Sequence, residues 1–560
     1  MEFWFSSTLR DEPRIEPDRV TGFSVQTRRT PAGTLGWYQA DGVDPSVILR
    51  EFTDGLALYM GEPLCPETFD AALPHMSSDL AALGNELSRR LRGVHSVVLL
   101  QFDTKTVAIT SDALGVRPWY WSFANGVLNL ASTRQAIGRL IPTEMDLTGA
   151  LQSSVSGYCI GARTPLRGVQ RNLPGELLIL SGSGRVASEF PPVAPSDDRT
   201  ALPERAEELR SRFASAVKDR LFSDRWSVGF LSGGLDSRVI ATSLVEKGAS
   251  PTVYSLTHGA SLDVALARDF AAAAGIEFQQ VSFRPDRRIL WAGRLRAALQ
   301  RRSASAPFDP FGYAWSGDGG SVCAGGVNVD AGLSARLGTL DESTAPETVA
   351  DLGFRIPSYL FDDAQAKSIL RDLATDLIAE TKRLQSRFGR VDSFNFLTAN
   401  DQRQHLDLHF EHWREHRISF YLPFYDSEVL AWLLGTPESM IAGHRLYSAW
   451  FDLLPAFAAS TPWQTYPGHQ PCPLPLPEVA EYQFGGRTAQ RFDTHMNERL
   501  RQRLRAWLSA GRSGWPGQTK SITSVLAAAW AVGLTRAAFS ATVMSDLIDP
   551  TGYGGLELDE

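Results

Sequence analysis

A short glycine-containing loop between an apolar strand and a helix constrains this chain more than any other feature of its sequence. The loop follows the apolar run at residues 226–231 and consists of Ser232, Gly233, Gly234, Leu235, Asp236 and Ser237. Two glycines permit a close approach of the backbone to an anion. The helix that starts at once directs its N-terminal amides and its dipole at the same point. The loop is therefore predicted to bind a phosphate group.

The carboxylate of Asp236 would repel a phosphate if it stood alone in this loop. A magnesium ion bound by Asp236 removes the conflict, because hard cations prefer carboxylate and phosphate oxygens. Arg238 follows in the first turn of the predicted helix. Two interpretations of Arg238 stay open, a further phosphate contact and a surface salt bridge.

The chain around the loop alternates between strand and helix patterns. An amphipathic helix is predicted over residues 203–221, and the remainder after about residue 340 is mostly helical in pattern. Such alternation predicts βαβ units and a doubly wound parallel sheet, so the fold class is α/β. The predicted strands cover residues 226–231, 251–256 and 278–283, and the helices between them cover residues 237–247 and 264–274.

The first part of the chain instead contains short apolar runs separated by turn signals, which predict antiparallel hairpins packed as a sandwich. A helix is predicted over residues 76–92, and the Pro-rich segment at 190–198 is predicted to be a linker. Two domains follow from this division, at residues 1–190 and 203–560. The predicted hairpins pair residues 96–102 with 106–110, 119–123 with 127–131, and 177–180 with 185–187.

Composition excludes several classes of partner. The formal net charge is −8 and the sequence contains no block of basic residues, so no nucleic-acid partner is expected. The sequence shows no signal peptide and no apolar run of about 18 residues, so no membrane span is expected and the cytoplasm is the expected compartment. The cysteines lie far apart and are expected to be buried thiols rather than zinc ligands or disulfides. They are Cys65, Cys159, Cys323 and Cys472.

The loop at residues 232–237 resembles the signature of ATP pyrophosphatases, which cleave ATP between the α- and β-phosphates. Within these, the chain resembles the asparagine synthetase superfamily over most of its length. Residues 112–120 (Asp-Ala-Leu-Gly-Val-Arg-Pro-Trp-Tyr) are similar to a motif of the N-terminal half of that family. Residues 326–330 (Gly-Val-Asn-Val-Asp) align with its Gly-Glu-Gly-Ala-Asp, and residues 423–426 (Pro-Phe-Tyr-Asp) align with its Pro-Phe-Leu-Asp.

The resemblance implies a fold and a set of site residues. The N-terminal domain should resemble the class II glutamine amidotransferases, and the C-terminal domain an ATP pyrophosphatase. ATP and its pyrophosphate should lie at residues 232–238. Mg²⁺ should be bound by Asp236 and Asp330, two carboxylates that should stand at the ends of adjacent strands. The adenine should be lined by Leu231, Ser255 and Leu256, and Gly326 and Asn328 are candidates for the substrate side.

A charged cluster precedes the Pro-Phe-Tyr-Asp motif. Its residues are predicted either to form a polar helix face or to supply acid, base and phosphate contacts near the reacting carboxylate. They are Glu411, His412, Arg414, Glu415, His416 and Arg417.

Departures from the family narrow the expected chemistry. Asparagine synthetases carry a nucleophilic cysteine at the second position, where this sequence has Glu2, so no glutaminase activity is expected. β-Lactam synthetases place a tyrosine at the position aligned with Val327, and a family glutamate would fall at Ser419. A stretch that carries a lysine in the family aligns with residues 464–468, which contain none.

The leading hypothesis is an AMP-forming amide ligase similar to the macrolactam synthetases of lasso peptides. It would adenylate an Asp or Glu side chain of a precursor peptide, and the N-terminal amine of the peptide would attack. Glu2, Val327 and the segment at residues 544–555 favour this hypothesis. Expected partners are the core peptide, a leader-peptide-binding protein and a leader protease. Two alternatives stay open: another amine- or ammonia-dependent amide or β-lactam synthetase, and a non-catalytic scaffold.

Overall fold

Two antiparallel sheets form the N-terminal part of the chain in the computed structural model. The structure describes residues 3–7, 23–40, 46–64, 66–73, 79–142, 144–181, 184–190, 200–221, 227–257, 261–282, 312–354, 362–404, 406, 418–465 and 469–477. The strands of these two sheets are β1 (Phe3–Ser6), β2 (Phe23–Thr30), β3 (Gly33–Ala40), β4 (Val47–Glu51), β5 (Gly55–Gly61), β6 (His95–Gln101), β7 (Thr106–Ser111), β8 (Tyr120–Ala124), β9 (Val127–Ala131), β10 (Gln170–Arg171), β11 (Leu177–Ser181) and β12 (Gly184–Glu189).

The strand orders are β10-β8-β9-β1-β3-β2 and β12-β11-β7-β6-β5-β4. The three predicted hairpins are confirmed as the pairs β6–β7, β8–β9 and β11–β12, with ends that differ by one or two residues. The turn within the third hairpin includes residues 182–183, which lie outside the described residues. The expected antiparallel sandwich is therefore present.

The central strands of the two sheets are buried on both faces, whereas the edge strands β2 and β4 carry exposed residues. In β5, Leu56, Leu58 and Met60 face the core between the sheets, whereas Ala57 and Tyr59 face the opposite side, as the two-residue period of a strand requires. Helices cover the two outer faces, which explains the near-continuous apolar runs of these strands. The helices of this part are α1 (Pro66–Ala72), α2 (Leu80–Arg90), α3 (Arg134–Leu140) and α4 (Leu147–Ser156).

A parallel sheet follows in the C-terminal part, as predicted. Its strands are β13 (Ser227–Phe230), β14 (Thr252–Thr257), β15 (Glu277–Ser282), β16 (Gly312–Trp315) and β17 (Ile418–Tyr421). The strand order is β15-β14-β13-β16-β17. The chain starts at β13, adds β14 and β15 on one side of it, and then returns to add β16 and β17 on the other side. This reversal is the hallmark of a doubly wound sheet. Strands β16 and β17 have four residues each and were not predicted, because so short an apolar run carries no readable period.

Helices α5 (Leu202–Lys218), α6 (Leu235–Glu246) and α7 (Leu262–Ala274) match the predicted helices closely. The later described residues are mostly helical, as expected. Their α-helices are α8 (Ala331–Gly338), α9 (Ala345–Asp351), α10 (Asp363–Phe388), α11 (Ser393–Leu397), α12 (Ser427–Gly435), α13 (Glu438–Ile441), α14 (Arg445–Phe451) and α15 (Ala456–Ala459). None of the helices in the described ranges is long and apolar enough to span a bilayer.

Three of the cysteines lie in the described residues and have free thiols. Cys159 and Cys323 are buried, as expected, and Cys472 is partly exposed. Cys65 lies outside the described residues. The same holds for residues 191–199, which include most of the predicted linker, so the division into domains 1–190 and 203–560 stays a prediction.

The N-terminal and C-terminal parts share a buried interface. Leu114 and Ile160 of the N-terminal part belong to the same apolar cluster as Leu209 and Phe213 of α5. Polar contacts add to this packing. For example, the fully buried Arg403 donates hydrogen bonds to main-chain carbonyls of the N-terminal part. The two parts are therefore packed together through a continuous core.

An ion network with a buried centre crosses this interface. Arg220, 6% exposed, forms ion pairs with Glu62 of the N-terminal part and with Asp426 of the C-terminal part. Arg92 reaches from the N-terminal part to the same Asp426, at 2.8 Å, and to Asp219. Burial alone would raise the pKa of Asp426, but Arg220 and Arg92 hold it below its ordinary value. The aspartate of the Pro-Phe-Tyr-Asp motif thus joins the two parts of the chain.

Replacing Arg220 by methionine should destabilise the protein strongly. The substitution keeps an apolar stem but leaves the carboxylates of Glu62 and Asp426 without this cation, and breaking a buried pair costs about 3–5 kcal/mol. Urea-induced unfolding, followed by tryptophan fluorescence, measures the loss.

Arg210→Met is the matched control, because Arg210 pairs at the surface with Glu246 at 3.1 Å. A partly exposed pair contributes about 0–1 kcal/mol. Equal losses for the two variants would contradict the importance assigned to the network.

Candidate active site at the switch point of the parallel sheet

The loops that follow β13 and β16 leave the parallel sheet side by side. Gly229 of β13 is paired with Trp315 of β16 in parallel register, so the carboxyl ends of both strands lie at the same edge. The chain order reverses between these two strands. Ligands of open α/β sheets bind in the crevice outside the carboxyl ends at such a point. The loop predicted from the sequence lies at this crevice.

The loop at residues 232–237 is held by its own two hydroxyl groups. The main-chain N–H of Ser232 donates to Oγ of Ser237 at 2.9 Å, and the N–H of Gly234 donates to Oγ of Ser232 at 3.3 Å. Helix α6 begins at Leu235, with Gly234 as its N-cap and no side-chain hydrogen bond to the cap. The first amides of a helix lack partners within it. The loop therefore offers an anion a helix N-terminus without a side-chain cap.

Gly233 fits against a neighbouring helix because it has no side chain. A Cβ atom there would lie 2.9 Å from Cα of Asp263 in α7. The N–H of Gly233 donates to Oδ1 of Asp263 at 3.2 Å, and its carbonyl accepts from the N–H of Gln464 at 2.8 Å. Gln464 begins the stretch aligned with the lysine-bearing segment of the family. That stretch thus lies against the loop, although residues 466–468 are outside the described residues.

Asp236 is held by donors from two distant parts of the chain. Its Oδ1 accepts hydrogen bonds from the hydroxyl of Ser321 at 2.8 Å and from that of Tyr447 at 3.0 Å. Burial raises the pKa of Asp236 to about 6, against the opposing effect of these donors. The side chain is nonetheless only partly enclosed. Asp236 is thus a fixed carboxylate in a poorly solvated place, where binding of a cation would favour its charged form.

The segment at residues 316–320, Ser-Gly-Asp-Gly-Gly, packs directly against the loop at 232–237 and is called the glycine segment here. A Cβ atom on Gly317 would lie 2.6 Å from the amide nitrogen of Ser237, and one on Gly320 would lie 2.5 Å from Cγ of Asp236. Asp318 accepts a hydrogen bond from the hydroxyl of Ser316 at 2.8 Å. Its charge acts on Asp236, since it is one of the causes that raise the pKa of that residue.

The donors at this crevice fit a magnesium ion. They are carboxylate and hydroxyl oxygens, and Mg²⁺ is commonly held by one or two carboxylates together with the phosphates of its substrate. No group of three or more His, Cys, Asp and Glu side chains in the described part of the chain could hold a metal by itself. A cation here would therefore depend on phosphate oxygens as well as on the protein.

Asp330 lies in a different environment from the one expected. It does not follow a strand but is the N-cap of α8, where its Oδ1 accepts from the N–H of Leu333 at 2.8 Å. The side chain is exposed. The expectation that it stands at the end of a strand is wrong, because the preceding strand, β16, ends at Trp315 and is followed by the glycine segment. Its role as a magnesium ligand stays a prediction.

Both interpretations of Arg238 are wrong. Its side chain is fully buried, and the guanidinium donates to the main-chain carbonyls of Ala458, Thr461 and Pro462. The guanidinium also lies over the ring of Phe270, 4.9 Å from its centroid. Burial lowers the pKa of Arg238 to about 10, so the group stays charged at neutral pH. Arg238 ties α15 and the residues after it to helix α6 and does not reach the surface.

The remaining predicted residues are only partly tested. Leu231, which directly follows β13, and Ser255, within β14, are buried, and Leu256 also lies in β14. Gly326, buried with a φ of 62°, and Asn328, half-buried, lie in the turn before α8. Their roles towards adenine or substrate stay predictions. The charged cluster (Glu411, His412, Arg414, Glu415, His416 and Arg417) and Glu2 lie outside the described residues.

Three side chains near Asp236 were not identified from the sequence. The sequence could have pointed to Asp318 and Ser321, because a glycine-rich stretch follows an apolar run there, as it does at the loop 232–237. No sequence pattern marks Tyr447, since it is an ordinary aromatic residue of helix α14 that the fold brings to Asp236.

Comparison with known proteins agrees with the resemblance seen in the sequence. Residues 208–299 match the family described as asparagine synthase, and residues 77–190 match the glutamine amidotransferase domain. The chain is 30% identical over 224 residues to the glutamine-hydrolyzing asparagine synthetase of Mesocricetus auratus, a region that covers 36% of each chain. It is 25% identical over 204 residues to asparagine synthetase 1 of Bacillus subtilis, covering 34% of this chain and 31% of the relative.

The matched region thus spans about a third of the length of these relatives. These matches support a relationship to the asparagine synthetase superfamily. A solved structure described as the allosteric regulatory enzyme of purine biosynthesis aligns at 11% identity and a TM-score of 0.24, over 50% of this chain and 80% of that one. A likeness at this TM-score carries no argument about fold or function.

Arg238→Lys should lower the stability of the protein in the absence of any ligand. A lysine keeps the charge but cannot donate to several carbonyls in the fixed geometry of a guanidinium. Leaving buried carbonyls without a donor costs about 1–3 kcal/mol. Urea-induced unfolding of the unliganded variant measures the effect. Unchanged stability together with weakened ATP binding would instead restore the phosphate contact.

Proposed function

We propose that this chain is an ATP-dependent amide ligase that activates a carboxylate as an acyl-adenylate and releases AMP and pyrophosphate. One observation carries the proposal: the loop at residues 232–237 joins β13 to a helix without a side-chain cap at the switch point of a parallel sheet. An anion bound there meets main-chain amides and a helix dipole. The asparagine synthase match over residues 208–299 includes this loop.

The residues of the crevice have separate tasks in this proposal. The amides at the start of α6 and the hydroxyls of Ser232 and Ser237 bind the pyrophosphate portion of ATP. The strand ends at Leu231, Ser255 and Leu256 line the adenine. Asp236 binds Mg²⁺, with its orientation fixed by Ser321 and Tyr447. The bound ion neutralises charge on the phosphates.

The finer proposal is that the activated carboxylate and the attacking amine belong to one molecule, the precursor of a lasso peptide. Val327 is apolar and offers no proton relay, which speaks against a β-lactam synthetase. The core peptide, delivered by a leader-peptide-binding protein and a leader protease in the cytoplasm, is the proposed substrate. An oriented intramolecular amine has an effective molarity on the order of 10⁵ M or more, so no ammonia source is needed.

Features of the N-terminal part favour a structural role for it. Cys159 is 2% exposed, and its thiol donates to the carbonyl of Gly149. Its own carbonyl accepts from the side chain of Gln404 in the C-terminal part at 2.8 Å. A thiol enclosed in this way is poorly placed to attack glutamine, because reactive cysteines are accessible thiolates. The N-terminal part is therefore proposed to support the C-terminal part without hydrolysing glutamine.

Mass spectrometry of a linear core peptide incubated with the protein, ATP and Mg²⁺ tests the proposal. The product should be lighter than the peptide by one water, with AMP and pyrophosphate formed in equal amounts. Acetylation of the peptide's α-amine should abolish the product but still permit ATP–pyrophosphate exchange. Asp236→Asn should lower that exchange by at least about 100-fold, since a positioned charge at the phosphates contributes several kcal/mol.

The outcomes separate the alternatives. A product that contains ammonia or a separate amine would replace macrolactam formation by general amide synthesis. A wild-type protein without ATP–pyrophosphate exchange, tested with the core peptide and the partner proteins, would indicate a non-catalytic scaffold. The thermal stability of Asp236→Asn serves as the control for folding.

Glutamine should not be hydrolysed by the purified protein. The expected ammonia release, measured by a coupled glutamate dehydrogenase assay, equals that of a sample without protein. Cys159→Ala should leave this baseline unchanged. Ammonia release above the baseline that depends on the protein would show that the N-terminal part is an active amidotransferase.

A further inference from the structure

We propose that Arg238 and Gln464 are positioning residues of the loop at 232–237, and that they keep one amide of this loop turned towards a bound phosphate. This inference rests on the proposed function, because it concerns how the loop binds the pyrophosphate portion of ATP. Gln464 acts through its main-chain N–H, and Arg238 acts through the segment to which Gln464 belongs.

The peptide between Gly233 and Gly234 is the part of the loop that these residues control. It is trans, so the carbonyl of Gly233 and the N–H of Gly234 point in opposite directions. The carbonyl accepts from the N–H of Gln464 at 2.8 Å, and the N–H of Gly234 donates to Oγ of Ser232 at 3.3 Å. The hydrogen bond from Gln464 therefore holds the carbonyl on the outer side of the loop and directs the amide to its inner side.

Two adjacent glycines make this peptide easy to invert. A flip would turn φ of Gly234, which is −88°, into the positive range, and glycine occupies that range at little steric cost. The flipped peptide would present a carbonyl oxygen, with its partial negative charge, to a bound phosphate. The loop sequence alone therefore does not fix the orientation that binds an anion.

A second contact holds the other side of Gly233. Its N–H donates to Oδ1 of Asp263 in α7 at 3.2 Å. This hydrogen bond fixes the peptide before Gly233 but not the peptide after it. Among the described residues, the hydrogen bond to the carbonyl of Gly233 comes from Gln464.

Arg238 holds the segment at residues 461–464, called the anchor segment here. Its guanidinium donates to the carbonyl of Thr461 at 2.6 Å, to the hydroxyl of Thr461 at 2.9 Å and to the carbonyl of Pro462 at 2.8 Å. It also lies 5.9 Å from the ring centroid of Trp463. Arg238 belongs to the first turn of α6, which starts within the loop. One buried side chain thus joins the start of this helix to the segment that holds the loop carbonyl.

Nucleotide binding by two variants, measured by equilibrium dialysis with Mg²⁺ present, tests the proposal without requiring turnover. Gln464→Pro removes the main-chain N–H, and Arg238→Lys cannot hold several carbonyls in a fixed geometry. Each variant should raise the dissociation constant of α,β-methylene-ATP at least about tenfold, because hydrogen bonds to charged groups are strong. Affinity for AMP should be unchanged, since AMP lacks the pyrophosphate portion that the loop binds.

Each variant has a matched control. Arg390→Lys is the control for Arg238→Lys, because Arg390 also donates to three main-chain carbonyls, at the end of α12. It should lose stability in urea as Arg238→Lys does, but bind both nucleotides normally. Thr465→Pro is the control for Gln464→Pro, because the N–H of Thr465 forms no hydrogen bond with another described residue. It should also bind both nucleotides normally.

Unchanged affinity of both variants for α,β-methylene-ATP would overturn this inference while leaving the proposed function intact. Equal losses of affinity for α,β-methylene-ATP and AMP would also overturn it, because the effect would not be specific to the loop. If Gln464→Pro does not fold, Arg238→Lys and its control decide the question. Failure of the wild-type protein to bind α,β-methylene-ATP would overturn both the inference and the proposed function.

Discussion

The carboxylate of Asp236 sets the packing of the whole crevice. Two backbone segments meet at it, the loop after β13 and the glycine segment after β16, and the second approaches so closely that a side chain at Gly320 would lie 2.5 Å from its Cγ. Hydroxyls from Ser321 and Tyr447 complete the surroundings on one oxygen. A helix N-terminus without a side-chain cap and a fixed carboxylate therefore lie close together, which is an arrangement compatible with the metal-bound phosphate proposed above.

The N-terminal part is held to this site by charge as well as by apolar packing. Arg220 lies between Glu62 and Asp426, and Arg92 binds the same Asp426 from the other side. Asp426 also caps helix α12 through the N–H of Glu428. Truncating a buried pair of this kind leaves a charge without its partner, so such networks are costly to break even where their net contribution is small. The residues that match the glutamine amidotransferase domain, 77–190, are thus joined to the C-terminal part at Asp426.

Sequence patterns predicted many of the strands and helices but not the environment of every residue within them. The loop at 232–237, the three N-terminal hairpins and the strands and helices from Leu202 to Ser282 were predicted, because each signal is contiguous and spans a full element, whereas strands β1–β5 were not. Asp330 was placed at a strand end by alignment of a Gly-x-Asn-x-Asp motif, but the strand that decides the matter, β16, has only four residues. Arg238 looked like a surface or phosphate-binding residue, because an arginine near a helix start gives no sign that three carbonyls enclose it.

The sequence by itself determined the strand–loop–helix unit around residues 232–237 and the alternation that makes the sheet parallel, and its net charge led to the expectation of no nucleic-acid partner. These depend on neighbouring residues and on composition. Only the tertiary structure decided what surrounds Asp236, since its two hydroxyl donors lie 85 and 211 residues further along the chain. It also decided that Asp318 stands at the crevice, that Asp330 caps a helix, and that Arg238 is buried. Such contacts follow from strand order and helix packing, which no local pattern encodes.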